Sequence, residues 1–139
     1  MKTERASCGF EEVAHTADWA LRVWASDFPQ LASTAVEGML ALMKPQYSSK
    51  TEHVHIIQVD GADEAELLVG LLSDVLFLLE NQSQAPNRCG VVIKRQQLMA
   101  MISSVKVKSI AKMIKAVTYH NLEIIRTPTG LECTLVFDV

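Results

Sequence analysis

The chain has 139 residues and a net charge of −3, enough length for one domain with its own apolar core. With 49% hydrophobic and 21% charged residues it is no intrinsically disordered chain. A pI near 5.8 argues against a protein that holds nucleic acid strongly through its own basic field. Cys8, Cys89 and Cys133 are odd in number and lack CxxC spacing, so neither a disulfide framework nor a zinc site is implied, and a reducing, cytoplasmic compartment is the simplest expectation. The opening residues MKTERASCGF lack the apolar stretch of a secretory signal. The longest apolar run, Leu67 to Leu79, is broken by Gly70, Ser73 and Asp74. At about 13 residues it falls short of the roughly 20 needed to span a bilayer, so no membrane partner is expected.

Residues 1–8 are polar, and a strand is expected from Gly9 or Phe10. Trp19 to Ala25 alternates bulky apolar residues with smaller or polar ones, which reads as a strand with one buried face. A small polar turn, His15-Thr16-Ala17-Asp18, precedes it. Asp27 is then a good N-cap, Pro29 falls in the first turn where its missing N–H costs nothing, and Gln30 completes a capping-box spacing. The first helix runs to about Met43, with Leu31, Ala35, Met39, Leu42 and Met43 on one stripe and the methionines as core filler. Pro45 ends it.

Thr51 to Asp60 reads as a strand, at an edge or covered on both faces, with His53, His55, Ile57 and Val59 on one face and Val54 and Ile56 on the other. His53 and His55 form an HxH pair without an acidic or thiol partner nearby, and solvent-facing histidines are expected. Gly61 to Glu64 opens a second helix, acidic at its positive end, that continues to about Glu80. Its apolar surface is too wide for one stripe, so it is expected to be the central helix. Asn81 to Gly90 has the composition of a turn-rich loop. Val91 to Val107 reads as one or two strands, the first from about Cys89 to Lys94, while Ser109 to Lys115 fits no template. Ala116 to His120, with Leu122 and Ile124, is β-rich; Arg126 to Gly130 is a hairpin turn; Leu131 to Val139 is a final strand. The sum is an α+β fold, two helices packed on mostly antiparallel sheet, in a single domain.

There is no P-loop, no dinucleotide fingerprint and no GxSxG, and no cysteine has a neighbourhood that marks a nucleophile. Two carboxylates, Asp18 and Asp138, fall at strand ends where loops converge. Each is a turn former or a ligand, and the residues alone leave both open. Together with a backbone carbonyl or terminal carboxylate of Val139 they would make an oxygen-only shell, which suits Mg²⁺, Mn²⁺ or Ca²⁺ and not zinc.

Three long blocks carry a resemblance. HTADWALRVWA followed by a capped helix ending in Met-Leu-Ala-Leu-Met, the run Ile114-Lys115-Ala116-Val117-Thr118-Tyr119-His120-Asn121-Leu122-Glu123, and the terminal Leu135-Val136-Phe137-Asp138-Val139 stand in the order and spacing of the archease family. The resemblance covers essentially the whole chain. It implies a small α+β protein that assists the RNA ligase joining tRNA exon halves, a ligase that first places GMP on its own histidine using GTP and a divalent metal. It further implies a divalent cation held by Asp18, Asp138 and the backbone of Val139, with His15 and His120 either hydrogen-bonded to the ligating carboxylates or fixing turns. One segment departs from the family pattern: Met101 to Met113 is basic, with Lys106, Lys108 and Lys112, where relatives usually carry a Gly-Glu and an acidic loop. Such lysines are expected on a solvated face.

The expected function is therefore a non-enzymatic activator of a GTP-dependent tRNA-splicing RNA ligase, involved with tRNA only indirectly. Two other classes compete: a chaperone-like binding module with a structural metal, and a stand-alone metal-dependent phosphoryl-transfer or hydrolase enzyme. The latter would need more convergent acid and base groups than the sequence offers.

Overall fold

The structure is a computed structural model and describes residues 6–13 and 19–139. β1 (Gly9–Val13) and β2 (Trp19–Ala25) run antiparallel with Phe10 opposite Val23. The alternation expected of β2 holds: Leu21, Val23 and Ala25 are buried, while exposed Arg22 pairs with Glu11 of β1 at 3.1 Å.

α1 (Phe28–Met43) starts where the capping residues place it. The Asp27 carboxylate accepts from the Gln30 N–H at 2.9 Å, and the Gln30 side chain accepts in return from the Ser26 N–H at 3.2 Å and from its hydroxyl at 2.7 Å. The helix stops at Lys44, whose φ of 49° is left-handed and whose N–H bonds to the Leu40 carbonyl. α2 (Glu64–Gln82) repeats the device, with Asp63 accepting from Glu66 N–H at 2.8 Å and Glu66 accepting from Ala62 N–H at 2.7 Å. Replacing Asp27 by Ala strands that N–H, and we expect a loss of about 1 kcal/mol, read as a lower urea midpoint at unchanged m-value.

β3 (Pro45–Asp60), β4 (Gln84–Lys94) and β5 (Gln97–Ile110) form a three-stranded antiparallel sheet in the order β3-β5-β4. Two expectations are corrected here. β3 begins at Pro45 and not at Thr51, and much of the expected loop from Asn81 to Gly90 is strand, since β4 begins at Gln84. Both are edge strands with one open side, so they need no apolar run to pair. Pro86 is tolerated because it sits at a register irregularity between Pro86 and Arg88. β3 is an edge strand, and its two faces differ: Val59 is buried, whereas Val54 and Ile56 are exposed.

β6 (Ala116–Thr118), β7 (Ile125–Thr127) and β8 (Gly130–Asp138) complete a five-stranded sheet with β1 and β2. β8 pairs with β2 along one side and with β7 and then β6 along the other. Thr127 opposes Gly130 across the expected hairpin turn. Each helix touches strands of both sheets. One core results, in which Leu31, Met39 and Met43 of α1, Leu68, Leu71 and Leu72 of α2, and Leu21, Leu135 and Phe137 of the larger sheet are fully buried. α2 buries nine side chains spread over much of its circumference, as its composition predicts. Among the described residues no helix is long and apolar enough to cross a membrane.

Candidate metal centre at the end of the five-stranded sheet

The end of β8 is held on both sides. Phe137 stands opposite Trp19 of β2 and Val117 of β6, and Asp138 stands opposite Ala116. The Lys115 N–H donates to the Asp138 carbonyl at 2.8 Å, so that carbonyl is satisfied. Strand alternation then divides the labour between neighbours. Phe137 points into the core with 0% exposure, and the Asp138 side chain is exposed with no hydrogen-bond or ionic partner among the described residues. Val139 packs its side chain partly against the core.

Asp18 and His15 lie outside the described residues. The register nonetheless bears on the pair, because Trp19 directly follows Asp18 in the chain and its partner Phe137 directly precedes Asp138. His120 is exposed and bonded locally: its N–H donates to Thr118 Oγ1 at 3.2 Å and its Nε2 lies 3.3 Å from Asn121 Nδ2. Thr118 in turn donates to the Val136 carbonyl at 3.0 Å. The backbone N–H of His120 thus takes part in the turn after β6, and its side chain makes no hydrogen bond to Asp138.

One contact at this end escaped the sequence. The Lys112 ammonium lies 4.8 Å from the centre of the Trp19 ring, a cation–π geometry. The segment that carries it is pinned by the Ala111 N–H, which donates to the Met43 carbonyl at the end of α1 at 3.0 Å. No local pattern announces a contact between residues so far apart in sequence. Lys106 and Lys108 are exposed, as a solvated face predicts.

Other chemistry is sparse. His53 is exposed, and His55 Nε2 lies 3.0 Å from Gln84 Oε1, a side chain that also accepts from the Ser104 hydroxyl at 2.6 Å. No group of three or more His, Cys, Asp or Glu capable of holding a metal occurs among the described residues. Burial, and secondarily the Glu132 charge, pushes the Cys133 thiol up to about 12, and burial alone pushes Cys89 up to about 11. Neither is a thiolate near neutrality. Cys133 should stay unmodified by a disulfide reagent at pH 8 until denaturant opens the fold, which mass mapping of the labelled peptides would check. A cleft of about 540 Å³ between α1 and the starts of β3 and β4 is lined by Val36, Leu40, Tyr47, Pro86, Arg88 and Cys89, on residues separate from Asp138.

Among the described residues, the β8 end offers the exposed Asp138 carboxylate, which has no partner there, and the backbone of Val139; Asp18 lies outside the described residues. Oxygen donors of that kind suit Ca²⁺, Mg²⁺ or Mn²⁺.

Together, capped helices laid on two antiparallel sheets and a final strand ending in an exposed carboxylate define a class of small α+β proteins built around one sheet end. Residues 10–139 match the Archease protein family (MTH1598/TM1083), and the chain belongs to that family. A protein archease from Methanopyrus kandleri is 28% identical over 131 residues, covering 84% of this chain and 89% of its own length. The crystal structure of an archease from Thermotoga maritima, described as a possible chaperone, superposes over the full length of both chains with a TM-score of 0.71 at 20% identity. The solution structure of Methanobacterium thermoautotrophicum protein 1598 matches with a TM-score of 0.69 at 19% identity, over 94% of this chain and 99% of that one. At these identities the two structures bear out the expected fold.

Proposed function

We propose that this protein is a cytoplasmic, non-enzymatic activator of a GTP-dependent tRNA-splicing RNA ligase, and that it acts through a divalent cation held by Asp18, Asp138 and the Val139 carbonyl. The observation that carries the reading is the register at the end of the larger sheet. It ties the residue after Asp18 to the residue before Asp138, and among the described residues the exposed Asp138 carboxylate has no partner. Family membership and the oxygen-only donor set support it.

A bound cation of this kind supplies positive charge to phosphate oxygens and, having few protein ligands, keeps positions open for a partner. The chain's own work is positioning. Phe137, buried, fixes the depth of the strand end; the Lys115 N–H fixes the Asp138 backbone; Trp19 with Lys112 closes the core beside it.

The test follows ligase guanylylation with labelled GTP, with and without this protein. Acceleration is expected, together with repeated turnover of exon joining. No acceleration of a competent ligase would sink the reading. The Thermotoga relative's description as a possible chaperone favours one second reading, a binding module whose metal is structural. On that reading chelation lowers the melting temperature but leaves partner binding intact.

A further inference from the structure

The three-stranded sheet has one face on the core and one open to solvent, and the open face carries an apolar patch at its centre. Along β3 it presents Val54 and Ile56, along β5 Met99 and Met101, and along β4 Val92, with exposures from 44% to 70%. Register makes these one patch: Ile56 opposes Met101, and Met99 opposes Val92. An antiparallel sheet with one solvated face ordinarily alternates apolar-in and polar-out. Here five outward positions are apolar, with Gln58 and Ser103 beside them and Glu52, Asp60, Arg88 and Lys94 towards the ends.

We propose that this face is a homodimer interface, in which Val54, Ile56, Val92, Met99 and Met101 of one copy stack on the same residues of a second copy. Three observations point to a second copy in preference to another partner. First, the charges on the face balance, Glu52 and Asp60 against Arg88 and Lys94. Arg88 reaches across to Glu52 at 3.3 Å, Asp60 accepts from Gln97 Nε2 at 3.0 Å, and Lys94 opposes the same Gln97 from the other side. An acidic or basic partner finds no field to match, whereas an apolar, charge-balanced patch is complementary to itself across a twofold axis. Second, the area suffices. The five side chains expose about 500 Å², the upper end of what a monomer carries. Two such faces bury about 1,000 Å² before the rim is counted, the threshold of a specific interface. Third, the relief suits interdigitation. Gly90 opposes Met101, and a Cβ there would meet nothing within 4 Å. It leaves a dimple beside a flexible thioether that adapts to what it meets.

Nucleic acid is disfavoured on the same grounds. The face carries no aromatic ring between Glu52 and Asp60, Arg88 and Lys94, or Gln97 and Ser103, so bases have nothing to stack on. Asp138 belongs to the other sheet, so each copy in the dimer keeps its candidate metal centre.

Sedimentation equilibrium of the full chain is the test, with Met101→Glu and Gly90→Glu as variants. Met101 is 61% exposed and Gly90 opens on solvent, so both variants should keep the near-ultraviolet circular dichroism of the wild type. The wild type should approach twice the 15.4 kDa chain mass. Each variant should raise the dimer dissociation constant by about tenfold or more. A wild type that stays monomeric at about 100 µM overturns the proposal, since a weaker interface would not qualify as specific. So does a dimer that neither variant weakens. A monomeric wild type whose partner binding falls with Met101→Glu would assign the face to that partner and overturn the homodimer equally.

Discussion

Asp138→Ala should reduce ligase guanylylation to its unstimulated rate while leaving the melting temperature within a degree or two of wild type. The carboxylate is exposed and bonds to nothing among the described residues. Truncating it therefore removes no folding contact, and surface changes of that kind cost within about 0.5 kcal/mol. On the proposed function it also removes one of very few protein oxygens offered to the cation. Loss of support around a ligand already weakens metal binding about 10- to 100-fold, so loss of a ligand itself should do at least as much. Calorimetric titration with Ca²⁺, Mg²⁺ and Mn²⁺ would report the lost affinity directly. Asp18→Ala should behave alike in stimulation and titration. If either variant stimulates as the wild type does, the cation is not presented to the ligase through these carboxylates.

Phe137→Ala, one residue away, should do the opposite. Its ring is fully buried where both sheet neighbours and the helices meet, and a buried Phe-to-Ala truncation costs about 3–5 kcal/mol. That is a large share of the 5–15 kcal/mol typical of a whole domain. The urea midpoint should fall accordingly, and stimulation should drop in proportion to the unfolded fraction, returning when the variant is assayed at lower temperature. Recovery on cooling separates the two variants, since cooling restores a fold but supplies no missing ligand. A midpoint shift below about 1 kcal/mol would mean that the strand end is not packed as described.

What could be read from the sequence follows from where the physics is local. Asp27, Pro29 and Gln30 specify the start of α1 within four residues of chain, and the structure makes those very hydrogen bonds. β2 was legible because one buried face imposes alternation on seven residues. The first half of β4 was not, because an edge strand beginning Gln-Ala-Pro-Asn-Arg is held by pairing to β5 and carries too few inward apolar side chains to show a period, whereas Cys89 to Lys94 was read as strand. The early part of β3, Pro45 to Lys50, was hidden for the same reason, and its pairing breaks register between Tyr47 and Glu52. At the candidate site, position and charge single out Asp18, Asp138 and Val139 as candidates; of these the structure describes Asp138, which is exposed, and Val139, while Asp18 and His15 fall outside the described residues. Lys112 over Trp19 was out of reach, because a contact made by tertiary docking leaves no trace in either neighbourhood.

The place of β8 in the larger sheet has a consequence for how the chain is born. β2 can pair along its second side only after both helices and the whole three-stranded sheet have been synthesised, because β8 follows all of them. On the ribosome, α2 with β3, β4 and β5 is contiguous and free to dock first. Leu21, Val23 and the ring of Trp19 wait meanwhile without their partner strand. Sequence-distant pairing of this kind closes slowly and leaves apolar edges open in the interval. Closure of the larger sheet should therefore follow docking of α2 on the three-stranded sheet, with the end of β8 among the last features to assemble.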